Sequence, residues 1–189
     1  MNYPNALKKP STSHEANYSN RGMTLENELN SSNEYYRFID KAIIYKKPTP
    51  IKVVKVDYPS RDKAVIKQAF FTIPSTTDYN GIYKGKYIDF EAKETKSKTS
   101  FSLENIHKHQ IEHIKSIEKH KGICFLIIRF TSLNKTYLLT ANDFLNFIDT
   151  SPKKSIPISF FEKNAYLIKD GFNPRIDYLK IIDQIIGGN

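Results

Sequence analysis

The sequence predicts an α/β fold: a mixed β-sheet flanked by helices. Two observations carry this. Short β-type apolar runs alternate along the chain with stretches of helical periodicity. Hydrophobic residues make up 39% of the 189, enough for a substantial core. The longest apolar run, Gly122-Ile-Cys-Phe-Leu-Ile-Ile128, falls far short of the ~18 residues of a membrane span and is closed by Arg129.

Residues 1–19 are polar and aperiodic, a flexible N-terminal arm, and the ordered domain is expected over residues 20–189. Asn20 is placed to cap a helix carrying Met23, Leu25, Leu29, Tyr36 and Ile39. Ala42 to Tyr45 reads as a strand, after which Pro48 and Pro50 exclude helix and central strand alike. Val53 to Asp57 reads as a strand, and Arg61 to Phe71 as a short helix or extended arm. Tyr79–Tyr83 and Lys86–Lys93 flank Lys84-Gly85 as a tight hairpin. A helix is expected from about Ser102 to Lys121, then strands at Gly122–Phe130 and Tyr137–Thr140, joined by a turn near Asn134. Helices follow at Asn142–Ile148, Ser159–Asn164 and Ile176–Ile186, the last ended by Gly187-Gly188.

The chain has 29 Lys and Arg against 20 Asp and Glu, a net charge of +9. Between Lys46 and Thr72 the basic residues are Lys46, Lys47, Lys52, Lys55, Arg61, Lys63 and Lys67, against Asp57 and Asp62. That is +5 in one Pro-bounded segment, which reads as an insertion of about residues 46–75 facing a polyanion, or else as a solvated basic hairpin with no partner. The single Cys124 forms no internal disulfide and suits the core. The first residues lack the apolar stretch of a secretory signal, so a soluble, cytoplasmic protein is expected.

Side chains alternate across a strand, so Ile88, Phe90 and Ala92 share an apolar face while Tyr87, Asp89, Glu91 and Lys93 share the other. The hairpin returns Asp78 towards Glu91. Two carboxylates converging at a sheet end suit a hard divalent cation such as Mg²⁺. A lysine beside them can stabilise charge on a phosphorane-like transition state. Alone, an acidic residue followed by Glu-x-Lys also recurs as a surface salt bridge. Gln110 falls in the apolar stripe of Leu103, Ile106, Ile114 and Ile117, where its amide must find partners or can complete a metal shell. His109-Gln-Ile-Glu-His113 has the spacing of inverted zinc peptidases, but Glu112 points about 200° from the apolar centre of the helix. A basic, solvated face accounts for those histidines more simply.

Thr76-Thr-Asp-Tyr-Asn-Gly81 followed by Lys84-Gly-Lys-Tyr-Ile-Asp-Phe-Glu-Ala-Lys-Glu-Thr95 resembles the RecU family of Holliday junction resolvases. So do Asn20-Arg-Gly-Met23, Lys47-Pro-Thr-Pro50, Val56-Asp-Tyr-Pro59, His109-Gln-Ile-Glu-His113 and Pro174-Arg-Ile-Asp-Tyr178. The resemblance implies a restriction-endonuclease-like nuclease core, a homodimer, Mg²⁺ dependence and paired symmetric nicks across four-way or branched DNA in recombination and repair. It implies Asp78 and Glu91 as metal ligands, Thr76 and Gln110 completing or supporting that site, Lys93 as transition-state stabiliser, and a DNA contact at Arg21. By the same resemblance the basic insertion corresponds to the family's stalk, expected to enter the junction centre, and recombinase and branch-migration proteins are expected partners. An inert junction-binding recombination modulator and a sequence-specific restriction endonuclease are the alternatives.

Overall fold

The structure, a computed structural model, describes residues 24–72 and 76–187. The expected arm, the Asn20 cap and Arg21 therefore lie outside the described residues. Helix α1 (Leu25–Phe38) is instead capped by Thr24, whose Oγ1 accepts from the Asn27 N–H at 3.3 Å. Its Leu25, Leu29 and Tyr36 are buried. Strand β1 (Ile43–Lys46) follows, and Pro48 and Pro50 then end the ladder.

Strands β2 (Ile51–Asp57) and β3 (Val65–Phe71) pair only with each other, as a two-stranded antiparallel sheet separate from the main one. The stretch read as a short helix or arm is thus a strand, preceded by a 3₁₀ turn at Arg61–Lys63. Its β-branched and aromatic residues Val65, Ile66, Phe70 and Phe71 favour the ladder with β2.

Strands β4 (Tyr79–Tyr83) and β5 (Lys86–Thr95) form the expected hairpin. Lys84 and Gly85 take φ of 48° and 72°, the positive values a two-residue hairpin turn needs. Gly81 permits a close approach: a Cβ there would lie 2.0 Å from the Ile43 carbonyl oxygen. Only glycine lets β1 lie against β4 in this way.

Strand β6 (Ser100–Ser102) pairs with a later segment, and helix α2 (Lys108–Lys119) starts six residues after the Ser102 expected from periodicity. Leu103–Asn105 form a 3₁₀ turn, and Ile106 reaches the core from an extended backbone (φ −114°, ψ 112°). Its burial mimicked helical spacing. Strands β7 (Ile123–Phe130) and β8 (Lys135–Thr140) are joined through Asn134 in the left-handed region, where the turn was expected. Helix α3 (Ala141–Thr150), strand β9 (Ser155–Pro157), helix α4 (Ile158–Asn164) and strand β10 (Tyr166–Ile168) come next. β6, β9 and β10 have three residues each, too few for a period to show. Helix α5 (Leu179–Gly187) begins after Ile176, because Ile176 donates its N–H to Ser32 Oγ at 3.0 Å and bridges to Asp170.

The main sheet has six strands in the order β1-β4-β5-β7-β8-β10. Only β5 and β7, linked through α2, run parallel; the other neighbours are antiparallel. One face packs Ile44, Ile88, Phe90, Phe125 and Ile127 against Leu29 and Tyr36 of α1 and Ile182 of α5. The other packs Cys124, Leu126 and Ile128 with Ile114 of α2, Phe144 of α3 and Phe161 of α4. The alternation on β5 therefore sends Ile88 and Phe90 towards α1 and α5, and its polar residues towards α2. No helix among the described residues is long and apolar enough to cross a membrane.

Candidate active site

Register across three strands assembles the site. β1 and β4 end their pairing at Lys46 and Tyr79, and the next bond runs from the Lys47 N–H to the Asp78 carbonyl at 2.7 Å. Tyr79 pairs with Phe90, which sets Asp78 beside Glu91 just beyond the end of the β4 ladder. There the Asp78 side chain replaces a strand neighbour: its Oδ2 accepts the Ala92 N–H at 3.1 Å. The expected return of Asp78 to Glu91 is thus how the chain is built.

Glu91 is fully buried, and Leu126 of β7 is its register partner. Lys93 Nζ forms an ion pair with Glu91 Oε1 at 2.6 Å, yet neither buried carboxylate oxygen has a well-formed hydrogen bond among the described residues. Such a group strongly disfavours its charged form. Burial and the nearby Asp78 carboxylate push the Glu91 carboxyl up to about 7, against the opposing pull of Lys93. Asp78 and Lys93 also line an open groove of about 440 Å³, with Glu26 and Glu94 on its rim.

Two buried carboxylate oxygens so poorly satisfied, beside a second carboxylate, have the chemistry of a cation site. The described residues hold no group of three or more His, Cys, Asp or Glu placed to bind a metal. The donor set therefore fits a hard cation that keeps water and substrate oxygens in its shell, as Mg²⁺ does, better than an all-protein cage. The zinc-peptidase spacing builds no site either: Glu112 and His109 are exposed, whereas His113 turns inward.

Of the other expected site residues, Gln110 stays beside Glu91, whose carboxyl pKa it helps to lower, while the basic residues separate. The Gln110 amide is used at both ends: Oε1 accepts the His107 N–H at 3.0 Å, starting α2, and Nε2 donates to the Thr76 carbonyl at 3.0 Å. Gln110 is buried, as its place in the apolar stripe required. Lys46 pairs at the surface with Glu26 (2.5 Å) and Lys67 with Asp57 (3.5 Å), while Lys52, Lys55 and Lys63 are exposed. The side chain of Arg61, like Arg21, is outside the described residues.

Lys47 differs from the surface role expected of it. It is only 15% exposed and pairs at 2.7 Å with Asp89, which is fully buried. Its Nζ also donates to Thr76 Oγ1 (3.0 Å) and Thr77 Oγ1 (2.6 Å). Asp89 accepts further from Thr77 Oγ1 and from Tyr87 Oη (2.9 Å), with His113 Nε2 3.3 Å away. Sequence reasoning assigned Asp89 and Thr77 no role. The signal was present: Asp89 shares a face with Glu91, and a carboxylate in a strand this apolar needs a cation.

Comparison with known proteins decides the family. The family model described as "Recombination protein U" (RecU) matches residues 20–184. The chain belongs to the RecU family. It is 55% identical over 172 residues to a protein named Holliday junction resolvase RecU from a Geobacillus species, covering 89% of this chain and 86% of that one. Proteins of the same name from Geobacillus kaustophilus (52% over 187 residues, 97% and 92% covered) and Bacillus cereus (55% over 171 residues, 89% and 86%) are similarly close. RecU membership embraces all the strands that build the site.

Proposed function

We propose that this RecU-family chain is a Holliday junction resolvase, a crossover junction endodeoxyribonuclease acting in homologous recombination and DNA repair. One observation carries the reading beyond the names of its relatives: Asp78, Glu91 and Lys93 meet where the β4 ladder ends, and the buried Glu91 oxygens lack well-formed hydrogen bonds. Asp78 and Glu91 would hold Mg²⁺, with Thr76 and Gln110 supporting the site, and the bound ion would supply Lewis-acid polarisation of the scissile phosphate and a more acidic water. Lys93, on the same strand face, places its ammonium where the non-bridging oxygens gain charge. Asp78 commits one oxygen to the Ala92 N–H and would offer the other to the ion. In-line attack of water oxygen on phosphorus breaks the P–O3′ bond and leaves 3′-hydroxyl and 5′-phosphate ends.

The architecture supports a restriction-endonuclease-like core with the β2–β3 hairpin as the inserted stalk. Lys46, Lys52, Lys55, Arg61, Lys63 and Lys67, with Arg21 in the arm, supply phosphate contacts with little sequence information. A homodimer places two sites across one junction, which symmetric nicking of two strands requires. The protein works in the cytoplasm, where recombinase and branch-migration proteins are its natural neighbours. Incubation of the purified chain with a synthetic four-way junction and with linear duplex, each with and without Mg²⁺, tests the reading. Metal-dependent paired nicks in the junction alone support it. Cutting of the duplex at one sequence marks a restriction endonuclease, and binding without cutting marks an inert modulator.

A further inference from the structure

Asp78 is the ligand with least local support. It precedes β4, in a segment of three residues outside any ladder, and its side chain makes one hydrogen bond, to Ala92. What fixes that segment is mostly Lys47. The Lys47 N–H holds the Asp78 carbonyl, and its Nζ holds the Thr76 and Thr77 hydroxyls. Gln110 adds the bond to the Thr76 carbonyl, and Thr77 is tied to Asp89.

Asp89 is the far anchor of this frame. It sits on β5 two residues before Glu91 and on the same face, fully buried, engaged by Lys47, Thr77, Tyr87 and His113. The buried pair thus ties the strand that bears Glu91 and Lys93 to the segment that bears Asp78. Lys47 is also the residue through which the chain leaves β1 for Pro48 and the β2–β3 hairpin. A buried charge pair stands on geometry of this kind and is costly to break from one side.

We propose that Lys47 and Asp89, bridged by Thr77, are positioning residues for cleavage: they set the distance between Asp78 and Glu91 rather than contact DNA. This rests on the nuclease reading above. A misplacement of about 1 Å in such a site costs on the order of 100-fold in rate. A lysine that contacts phosphate would behave differently, since its loss weakens binding and lowers the salt slope by about one.

The experiment compares the full-length wild type with Lys47→Met, Asp89→Asn, the Lys47→Met/Asp89→Asn double variant and Thr77→Val. Junction affinity is measured in EDTA across a salt series, and single-turnover nicking at saturating protein across a Mg²⁺ series. The expected result for Lys47→Met is junction affinity within about twofold of wild type and an unchanged salt slope. Its nicking should slow by roughly 10- to 100-fold and need more Mg²⁺ for half-maximal rate. The double variant should cut faster than Asp89→Asn alone, because no buried charge is left unpaired. Thr77→Val removes the bridge without removing charge, and slowed nicking with normal binding supports the proposal even where a charge variant folds poorly. Wild-type nicking in Lys47→Met or in Thr77→Val overturns it, as does loss of junction affinity with a reduced salt slope in Lys47→Met. A wild type that cuts no junction fails the nuclease reading instead, a result no variant can mimic.

Discussion

Asp78 and Ala92 are joined by a 3.1 Å hydrogen bond from the Ala92 N–H to Asp78 Oδ2, just where the β4–β5 ladder runs out. The carboxylate takes the place of a strand partner. It is thereby held across from Glu91, the neighbour of Ala92, with its other oxygen left for chemistry.

Replacing Asp78 by Ala removes both the bond and a ligand, so nicking of a four-way junction should fall by at least about 10²-fold while junction binding in EDTA stays near wild type. Lys93→Ala should do the same to the rate. Gel-shift titration beside a single-turnover nicking assay separates the two quantities.

Glu91 gives a pH signature to the metal-free protein. Its carboxyl is raised to about 7 by burial and by Asp78, so the folded state holds the proton more tightly than the unfolded chain does. The stabilisation this brings is fully present below the unfolded value near 4.5, declines as pH rises, and is gone above about 7. Ionisation costs on the order of 3 kcal/mol of stability. Glu91→Gln lacks that loss, so in EDTA its melting temperature should match wild type at pH 5 and exceed it by several degrees at pH 8. Divalent metal at pH 8 should raise the wild type and leave the variant unmoved.

Gln110→Ala breaks two bonds at once, to the His107 N–H and to the Thr76 carbonyl. A loss of about 1–3 kcal/mol in urea unfolding is expected. Gln110→Glu keeps the acceptor that starts α2 but not the donor to Thr76, and should recover part of the stability. Equal stabilities for the two variants would mean that the bond from the His107 N–H contributes nothing net.

Lys52, Lys55 and Lys63 are exposed lysines of the β2–β3 hairpin and its loop, as is Lys67, which pairs with Asp57. Changing each to Ala should lower the slope of log affinity against log salt by roughly one, without altering which junction positions are nicked. Lys47, committed to Asp89, should leave that slope unchanged.

Much of this was legible from residue order. The Lys84-Gly85 turn fixed the β4–β5 register, and β-alternation then put Glu91 and Lys93 on one face. The inward face of α2 announced Gln110. The start of α2 was not legible, because Leu103 and Ile106 occupy helical spacing while standing on a turn and an extended residue. Lys47 looked like one more surface lysine in a basic segment. Its partner is 42 residues away on β5, and only the β1–β4–β5 register brings the two together. Charge counts along a chain do not show which charges are already neutralised in the interior.

The central claim is that Asp78, Glu91 and Lys93 form the site that cuts a four-way junction. Mapping the nicks made by the wild type and Glu91→Gln on a synthetic junction with Mg²⁺ tests it most directly. The account predicts symmetrically placed nicks in two opposing strands, ligatable ends, and none of these from Glu91→Gln despite normal junction binding. Undiminished nicking by Glu91→Gln would contradict it.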